Sequence, residues 1–427
     1  MRPRLELRPD LEPAAMPAVR RRLLFVNRYF HPDESATAQL LTDLTVRLVA
    51  RGFDVRVVTS RQLYGSPATR LAARSTLRGV NVHRLWTTHF GRGSLPGRAC
   101  DYASFYVSAF LFLLLRLRSG DIVIAKTDPP LISLFAAAAA KLRGAVLVNW
   151  LQDIFPEVAT HVGANPLPAR VDGCLRRLRD ASLRAAAANV VLGGRMRDYV
   201  VGRGISPATV VVIENWADTA LIAALPSAQS SLRQRLGLEA RFVVQYSGNL
   251  GRAHEYVTLL EAATALRNDA GIVFLAVGGG FNMEALQREA AARGLPNFRF
   301  LGYQPRETLG DSLSAGDVHL VNLRPSLEGL IVPSKFYGIL AAARPVIVTG
   351  DADGELARIV RATGCGLVVA GGDAGSLVDA IRELRADVAR RARMGATARQ
   401  LAVASYSAGQ AVDRWVELLA SSGTRAV

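Results

Sequence analysis

Short apolar runs and longer amphipathic segments alternate along this chain. Residues 23–26 are apolar, the polar loop NRYFHPDES follows, residues 36–50 carry helical spacing, Gly52 stops them, and 54–59 is apolar again. That order predicts a strand, a crossover helix and a second, parallel strand. The unit recurs as strand 121–125, helix 131–142, strand 145–150, an arginine-rich helix from 169 to 188 and strand 189–192. After Asp218 the composition turns to Ala, Pro and Ser, which reads as a linker, and the pattern restarts at 242–246. The second half runs strand, SGNLGRAHE, a helix from about Tyr256, then strands IVFLAVGGG, FRFLGY and VHLVNL with helices between them. The predicted fold class is therefore α/β, with two Rossmann-like doubly wound domains facing across a cleft. The predicted bounds are 21–217 and 218–407, with a closing helix over 408–427 that returns to the first domain.

In doubly wound sheets, ligands meet the carboxyl ends of strands, so the loops there hold the candidates. After the first strand come His31, Asp33, Glu34 and Ser35; the last reads as a cap or turn residue, and the others are placed toward a ligand. Asp153 and Glu157 follow the 145–150 strand, and Asp153 takes the site role while Glu157 takes a structural one. The turn SGNLG supplies Gly248, Asn249 and Gly251 for close backbone approach, with Arg252 able to fork onto a phosphate. In the stretch 321–349, Ser334 is expected to cap a helix over 335–343 that Pro345 ends. Lys335 stands at its start as one of only three lysines, beside a helix N-terminus suited to an anion. Gly278–Gly280 has the start of a dinucleotide fingerprint but Met283 at its third glycine position, and Asp351–Asp353 reads as an acidic turn rather than a metal site.

Composition narrows the partner. There are 52 basic and 36 acidic residues, a formal net charge of +16, so an anionic partner is expected. The arginines are scattered through helices without interleaved aromatics, which argues against nucleic acid. Cys100, Cys174 and Cys365 show neither disulfide nor zinc spacing, and a reducing cytoplasm fits them. Residues 1–20 lack an apolar core and read as a disordered extension. The run FYVSAFLFLLL over 105–115 spans only about 16 Å as a helix against roughly 30 Å of hydrocarbon, too short to cross a bilayer. With Arg116 and Arg118 behind it, the run is either a buried helix or one resting in a membrane interface.

NRYFHPDESATAQLLTDL at 27–44, KTDPP at 126–130, QDIFPEVA at 152–159, IENWAD at 213–218, YSGNLGRAHE at 246–255 and VPSKFYGILAAARPVI at 332–347 together resemble the GT-B glycosyltransferases of family 4. The likeness is to the branch that builds colanic acid and O-antigen by fucosyl or N-acetylfucosaminyl transfer. The resemblance implies retaining transfer from a nucleotide sugar, UDP-linked by expectation, to a saccharide or polyprenyl-diphosphate-linked acceptor, without a metal or other cofactor. It puts the donor on the second domain, at Gly248, Asn249, Gly251, Arg252, Gly279, Gly302, Tyr303, Ser334 and Lys335, with the nucleobase at Gly302 and Tyr303. It puts the acceptor on the first domain, at His31, Asp33 and Glu34, and catalysis on Asp153 and Glu328. It also implies a cytoplasmic enzyme on the inner face of the membrane. Two departures stand out: Gly338 falls where the family has a ribose-binding glutamate, and Asn249 where it has an arginine. An epimerase acting on a UDP-sugar and an inactive binding subunit on the same fold are the alternatives.

Overall fold

The computed structural model describes residues 21–64, 69–91, 94–163 and 168–422; the expected extension at 1–20 and the end of the closing helix lie outside them. Eight strands build the first sheet: β1 (Arg22–Val26), β2 (Asp54–Ser60), β3 (Arg74–Leu77), β4 (Val80–Leu85), β5 (Ile122–Lys126), β6 (Val146–Trp150), β7 (Ala188–Val191) and β8 (Val210–Val212). Their order is β3-β4-β2-β1-β5-β6-β7-β8. Six build the second: β9 (Phe242–Asn249), β10 (Ile272–Gly279), β11 (Phe298–Leu301), β12 (Val318–Asn322), β13 (Val346–Gly350) and β14 (Gly366–Ala370), in the order β11-β10-β9-β12-β13-β14. Both sheets are doubly wound, as the alternating pattern predicts. Central parallel strands are covered on both faces, which is why β1, β5 and β12 read as almost unbroken apolar runs.

The hairpin of β3 and β4 is the one antiparallel pair among the described strands, and the sequence pattern missed it. Its residues are mostly polar, because β3 is an edge strand. Arg78 and Gly79, with φ of 46° and 86°, make the tight turn between the two strands.

The chain divides into two compact units, Met1–Ile124 with Ala138–Val146 and Val416–Val427, and Ala125–Ala137 with Leu147–Trp415. The division falls inside the first sheet, so the loops after β5, β6 and β7 belong with the second sheet. One of the apolar cores of that second unit packs Leu151, Ile154 and Met196 with Leu323, Leu327 and Phe336. In the second sheet the strand order reverses between β9 and β12, which is where such a sheet opens a crevice at its carboxyl end.

The apolar run at 105–115 is part of a longer helix, Leu95–Arg116, capped by Ser94, whose side chain accepts from the Gly97 N–H. At 22 residues it is about 33 Å long, so the expectation that it is too short to span a bilayer is corrected. The unbroken run marked only its most apolar part; the whole helix is long and apolar enough to cross a membrane by length and composition alone.

Candidate active site

At the β9–β12 reversal the polypeptide brings a cation to a glycine turn. Gly248 has a φ of 110°, which a side chain would oppose, and the Lys335 stem passes 3.9 Å from where a Cβ at 248 would stand. The Lys335 ammonium donates to the Tyr246 hydroxyl and to the Asn249 carbonyl (3.3 Å), and lies 3.9 Å from the centre of the Tyr246 ring. Among the described residues no carboxylate pairs with it. Burial holds its pKa well below the usual lysine range, the signature of a cation short of counter-charge. His254 stands beside it, its Nδ1 2.7 Å from the Asn322 carbonyl, which makes that nitrogen the protonated one. Burial first, and Lys335 second, push His254 down to about 3, so it is neutral at physiological pH.

Ser334 departs from expectation. It sits at the helix start with φ −64° and ψ −21°, already helical, and its side chain makes no capping bond. A capping serine needs an extended backbone to turn its oxygen onto the first N–H groups. The helix itself is short, Lys335–Ala341.

The three glycines at 278–280 are explained by crowding rather than by a dinucleotide. A Cβ at 278 would stand 2.2 Å from the Gly248 carbonyl oxygen, at 279 3.0 Å from the Tyr303 ring, and at 280 2.2 Å from the Asn249 side chain. Packed this way, the turns after β9 and β10 form one shelf. On it Arg252 lies with its guanidinium carbon 3.3 Å from the centre of the Phe281 ring, and Tyr303 stands 62% exposed over Gly279. Asn282 ties the shelf together, donating to the Gly251 and His254 carbonyls at 3.1 and 2.8 Å. Gly302 is exposed next to Tyr303. Gly251, Arg252, Gly279 and Tyr303 thus share the shelf that Gly248, Asn249 and Lys335 border.

Glu328 lies on the loop after β12, and its carboxylate accepts from the Glu355 N–H at 2.7 Å. It thereby closes the start of the Glu355–Thr363 helix. Burial, then the charges of Asp351 and Glu355, raise its pKa. Glu355 acts likewise at the start of the Gly194–Gly202 helix, accepting from the Arg195 N–H at 2.7 Å, and a Cβ at Gly193 would fall 2.4 Å from its carboxyl carbon. Asp351–Asp353 forms a turn as expected, with the Asp353 N–H on the Asp351 carboxylate at 2.8 Å. At Gly338 a Cβ would make only ordinary contact, 3.5 Å from Leu313, so space does not demand glycine there.

Asp153 follows β6 within the same unit. It accepts from the Thr127 hydroxyl at 3.1 Å, and its backbone bridges to Ile331, three residues beyond Glu328. Solvent reaches its carboxylate, yet the protein around it raises its pKa through desolvation, which Thr127 and Lys126 oppose. Lys126 is buried with its ammonium 3.8 Å from the centre of the Trp150 ring. Glu157 has the structural role expected of it: it is buried and takes two bonds from Arg179 at 2.9 and 3.0 Å, with Tyr199 and Arg176 beside them.

The first-strand loop lies in the other unit. His31 and Glu34 are exposed there, but Asp33 is buried, accepting from the Ser35 N–H at 2.9 Å and the Tyr64 N–H at 2.5 Å. Its two carboxylate oxygens are thus each held by a backbone N–H, which gives Asp33 a structural role in this loop. Ser35 stands at the start of the Ala36–Ala50 helix with an extended backbone, but its side chain makes no capping bond.

Two family models match the chain: a glycosyl transferase 4-like domain over residues 36–216 and the glycosyl transferases group 1 over 229–401. The chain belongs to the GT-B glycosyltransferases. The transferase is 29% identical to the probable glycosyltransferase WbjE of Pseudomonas aeruginosa over 60% of its own length, an alignment that spans 65% of that relative. It is 27% identical to the putative colanic acid biosynthesis glycosyl transferase WcaI of Escherichia coli, over 77% of this chain and 83% of the relative. Its fold is that of sucrose-phosphate synthase from Thermosynechococcus elongatus, with a TM-score of 0.76 at 17% identity over 94% of this chain and 99% of that one. It is also that of Anabaena Alr3699/HepE in complex with UDP and glucose, with a TM-score of 0.71 at 16% identity over 94% and 100%. Tyr246, His254 and Phe281 are neighbours of the transferase's candidate site that the sequence did not mark. Tyr246 ends a buried run, and an aromatic directly after GGG was the one visible hint of Phe281.

Proposed function

We propose that this transferase moves a sugar from a UDP-linked donor, with retention, to a lipid-linked or saccharide acceptor in the synthesis of a surface polysaccharide. The observation that carries the reading is Lys335, a desolvated ammonium without a carboxylate partner, set over the Gly248 turn. Such a group gains most from an arriving diphosphate. In the transfer, the bond from the anomeric carbon to the diphosphate oxygen breaks, a bond to the acceptor hydroxyl oxygen forms, and the hydroxyl proton leaves with the departing phosphate or solvent. Lys335 and Arg252 stabilise the developing charge on the diphosphate beside the 248–251 turn, so the chemistry needs no metal. Asp153 and Glu328 face the transferred sugar. UDP in the HepE complex and the colanic acid role in the name of WcaI support the donor and the pathway class.

A lipid-linked acceptor requires a membrane surface. The Leu95–Arg116 helix supports one: Val107, Leu111 and Leu115 are 57, 50 and 76% exposed at four-residue spacing, with Arg116 and Arg118 at the end of the stripe. Residues at that spacing share one helix face. The test is a panel of nucleotide sugars assayed for release of nucleoside diphosphate with a lipid-linked acceptor, alongside Lys335→Ala. Turnover that needs both substrates is expected. No turnover with any nucleotide sugar, together with unchanged nucleotide affinity in Lys335→Ala, would sink the reading.

A further inference from the structure

The Ala169–Ala185 helix has two faces of opposite electrical character, and the reaction uses neither. Every charge on its inner side is matched. Arg179 binds Glu157 and Asp180, Arg176 binds Asp172 at 2.6 Å, and Asp180 also takes Arg203 at 2.8 Å. The outer side repeats every seven residues as an arginine followed by an apolar residue: Arg170 and Val171, Arg177 and Leu178, Arg184 and Ala185. All six are exposed, Val171 at 44% and Leu178 at 43%. The turns between them present exposed Cys174 and Ala181 and no acid. Among the described residues Arg170, Arg177 and Arg184 have no carboxylate partner, although three acids, Glu157, Asp172 and Asp180, lie on or against the same helix.

Positions seven apart on a helix fall on one stripe, here about 21 Å from Arg170 to Arg184. We propose that this stripe docks the transferase on an anionic phospholipid surface, with the three guanidinium groups on lipid phosphates and Val171, Leu178 and Ala185 at the headgroup boundary. Two features select that occupant. Unmatched positive charge favours an anionic partner and disfavours a second copy of this chain, whose own arginines would face these. The interleaved apolar side chains gain nothing from water or from a purely ionic partner, but they gain from the apolar edge of a headgroup layer. The inference deepens the lipid-linked reading above by naming a surface separate in sequence from the Leu95–Arg116 helix.

The test is co-sedimentation of the full chain with vesicles of phosphatidylcholine alone and with about one-third phosphatidylglycerol, over a range of salt. Wild type is expected to bind the anionic vesicles and to release as salt rises. The triple variant R170Q/R177Q/R184Q should bind on the order of 100-fold more weakly, since each basic residue at such a surface contributes roughly fivefold. V171S/L178S should weaken binding less and leave its salt dependence intact. Circular dichroism and thermal unfolding confirm that the variants fold, as changes to exposed side chains allow. Wild-type binding that survives the triple variant but is lost in Leu111→Ser overturns this inference and leaves the membrane reading standing. Absence of vesicle binding by wild type overturns both. A concentration-dependent dimer that the triple variant abolishes, without vesicle binding, assigns the stripe to a second copy and overturns the lipid surface.

Discussion

Lys335 shows what a single residue position can and cannot reveal. Its rarity in an arginine-rich chain and its place before a helix were legible; its perch on Tyr246 and the Asn249 carbonyl was not, because both partners lie nearly ninety residues away. Lys335→Ala is expected to weaken nucleoside-diphosphate binding about 10- to 100-fold by calorimetry, the size of a lost charge-assisted bond. Phe281 is the second case. Its ring fixes the plane of Arg252, so Phe281→Leu should lower the same affinity about two- to fivefold, and Phe281→Tyr should restore it. In an Arg252→Ala background, Phe281→Leu should change nothing; an equal loss in both backgrounds means that the ring acts through folding. Asp33 shows the opposite lesson: an acid at a strand's carboxyl end had the right address, yet two backbone N–H groups claim it.

At the scale of the element, helix ends decide most of the differences. Ser334 and Ser35 occupy starting positions without capping, whereas Glu328 and Glu355 close helix starts from a distance. Capping by a residue remote in sequence leaves no local signature, so only the folded chain displays it. Gly338 lies inside the Lys335–Ala341 helix with room for a methyl group, and Gly338→Ala should therefore stabilise the protein by about 0.5–1 kcal/mol in urea unfolding. Glu157 anchors the Ala169–Ala185 helix. Burial alone would raise its pKa, but hydrogen bonds from Arg179 and Tyr199 and the charge of Arg179 hold it below the ordinary 4.5. The native state therefore binds this proton less readily than the unfolded one, so the stabilisation is present above 4.5 and is lost as pH falls through the lowered value. Glu157→Gln should cost about 3–5 kcal/mol at neutral pH, since it leaves Arg179 short of a buried partner. Its unfolding curve should also lack that part of the acid slope.

For the whole molecule, topology turns scattered motifs into a site. The order β11-β10-β9-β12-β13-β14 makes neighbours of the turn after β9, the glycines after β10 and the loop after β12, although they span some eighty residues of chain. Within the same unit the Asp153 loop meets Ile331. If Asp153 serves the transferred sugar, Asp153→Asn should reduce kcat by about 100-fold or more while leaving nucleotide affinity intact, and a loss confined to KM would assign it to binding instead. The sequence by itself determined the two doubly wound sheets, because buried parallel strands must be apolar throughout and their crossover helices must be amphipathic. It determined the glycine turns as well, since left-handed backbone favours glycine over residues with a side chain. Only the tertiary structure decided which polar groups remain available to a ligand. A carboxylate or ammonium is committed or free according to the backbone and rings that folding brings to it, and those partners are set by strand order rather than by neighbours in the chain.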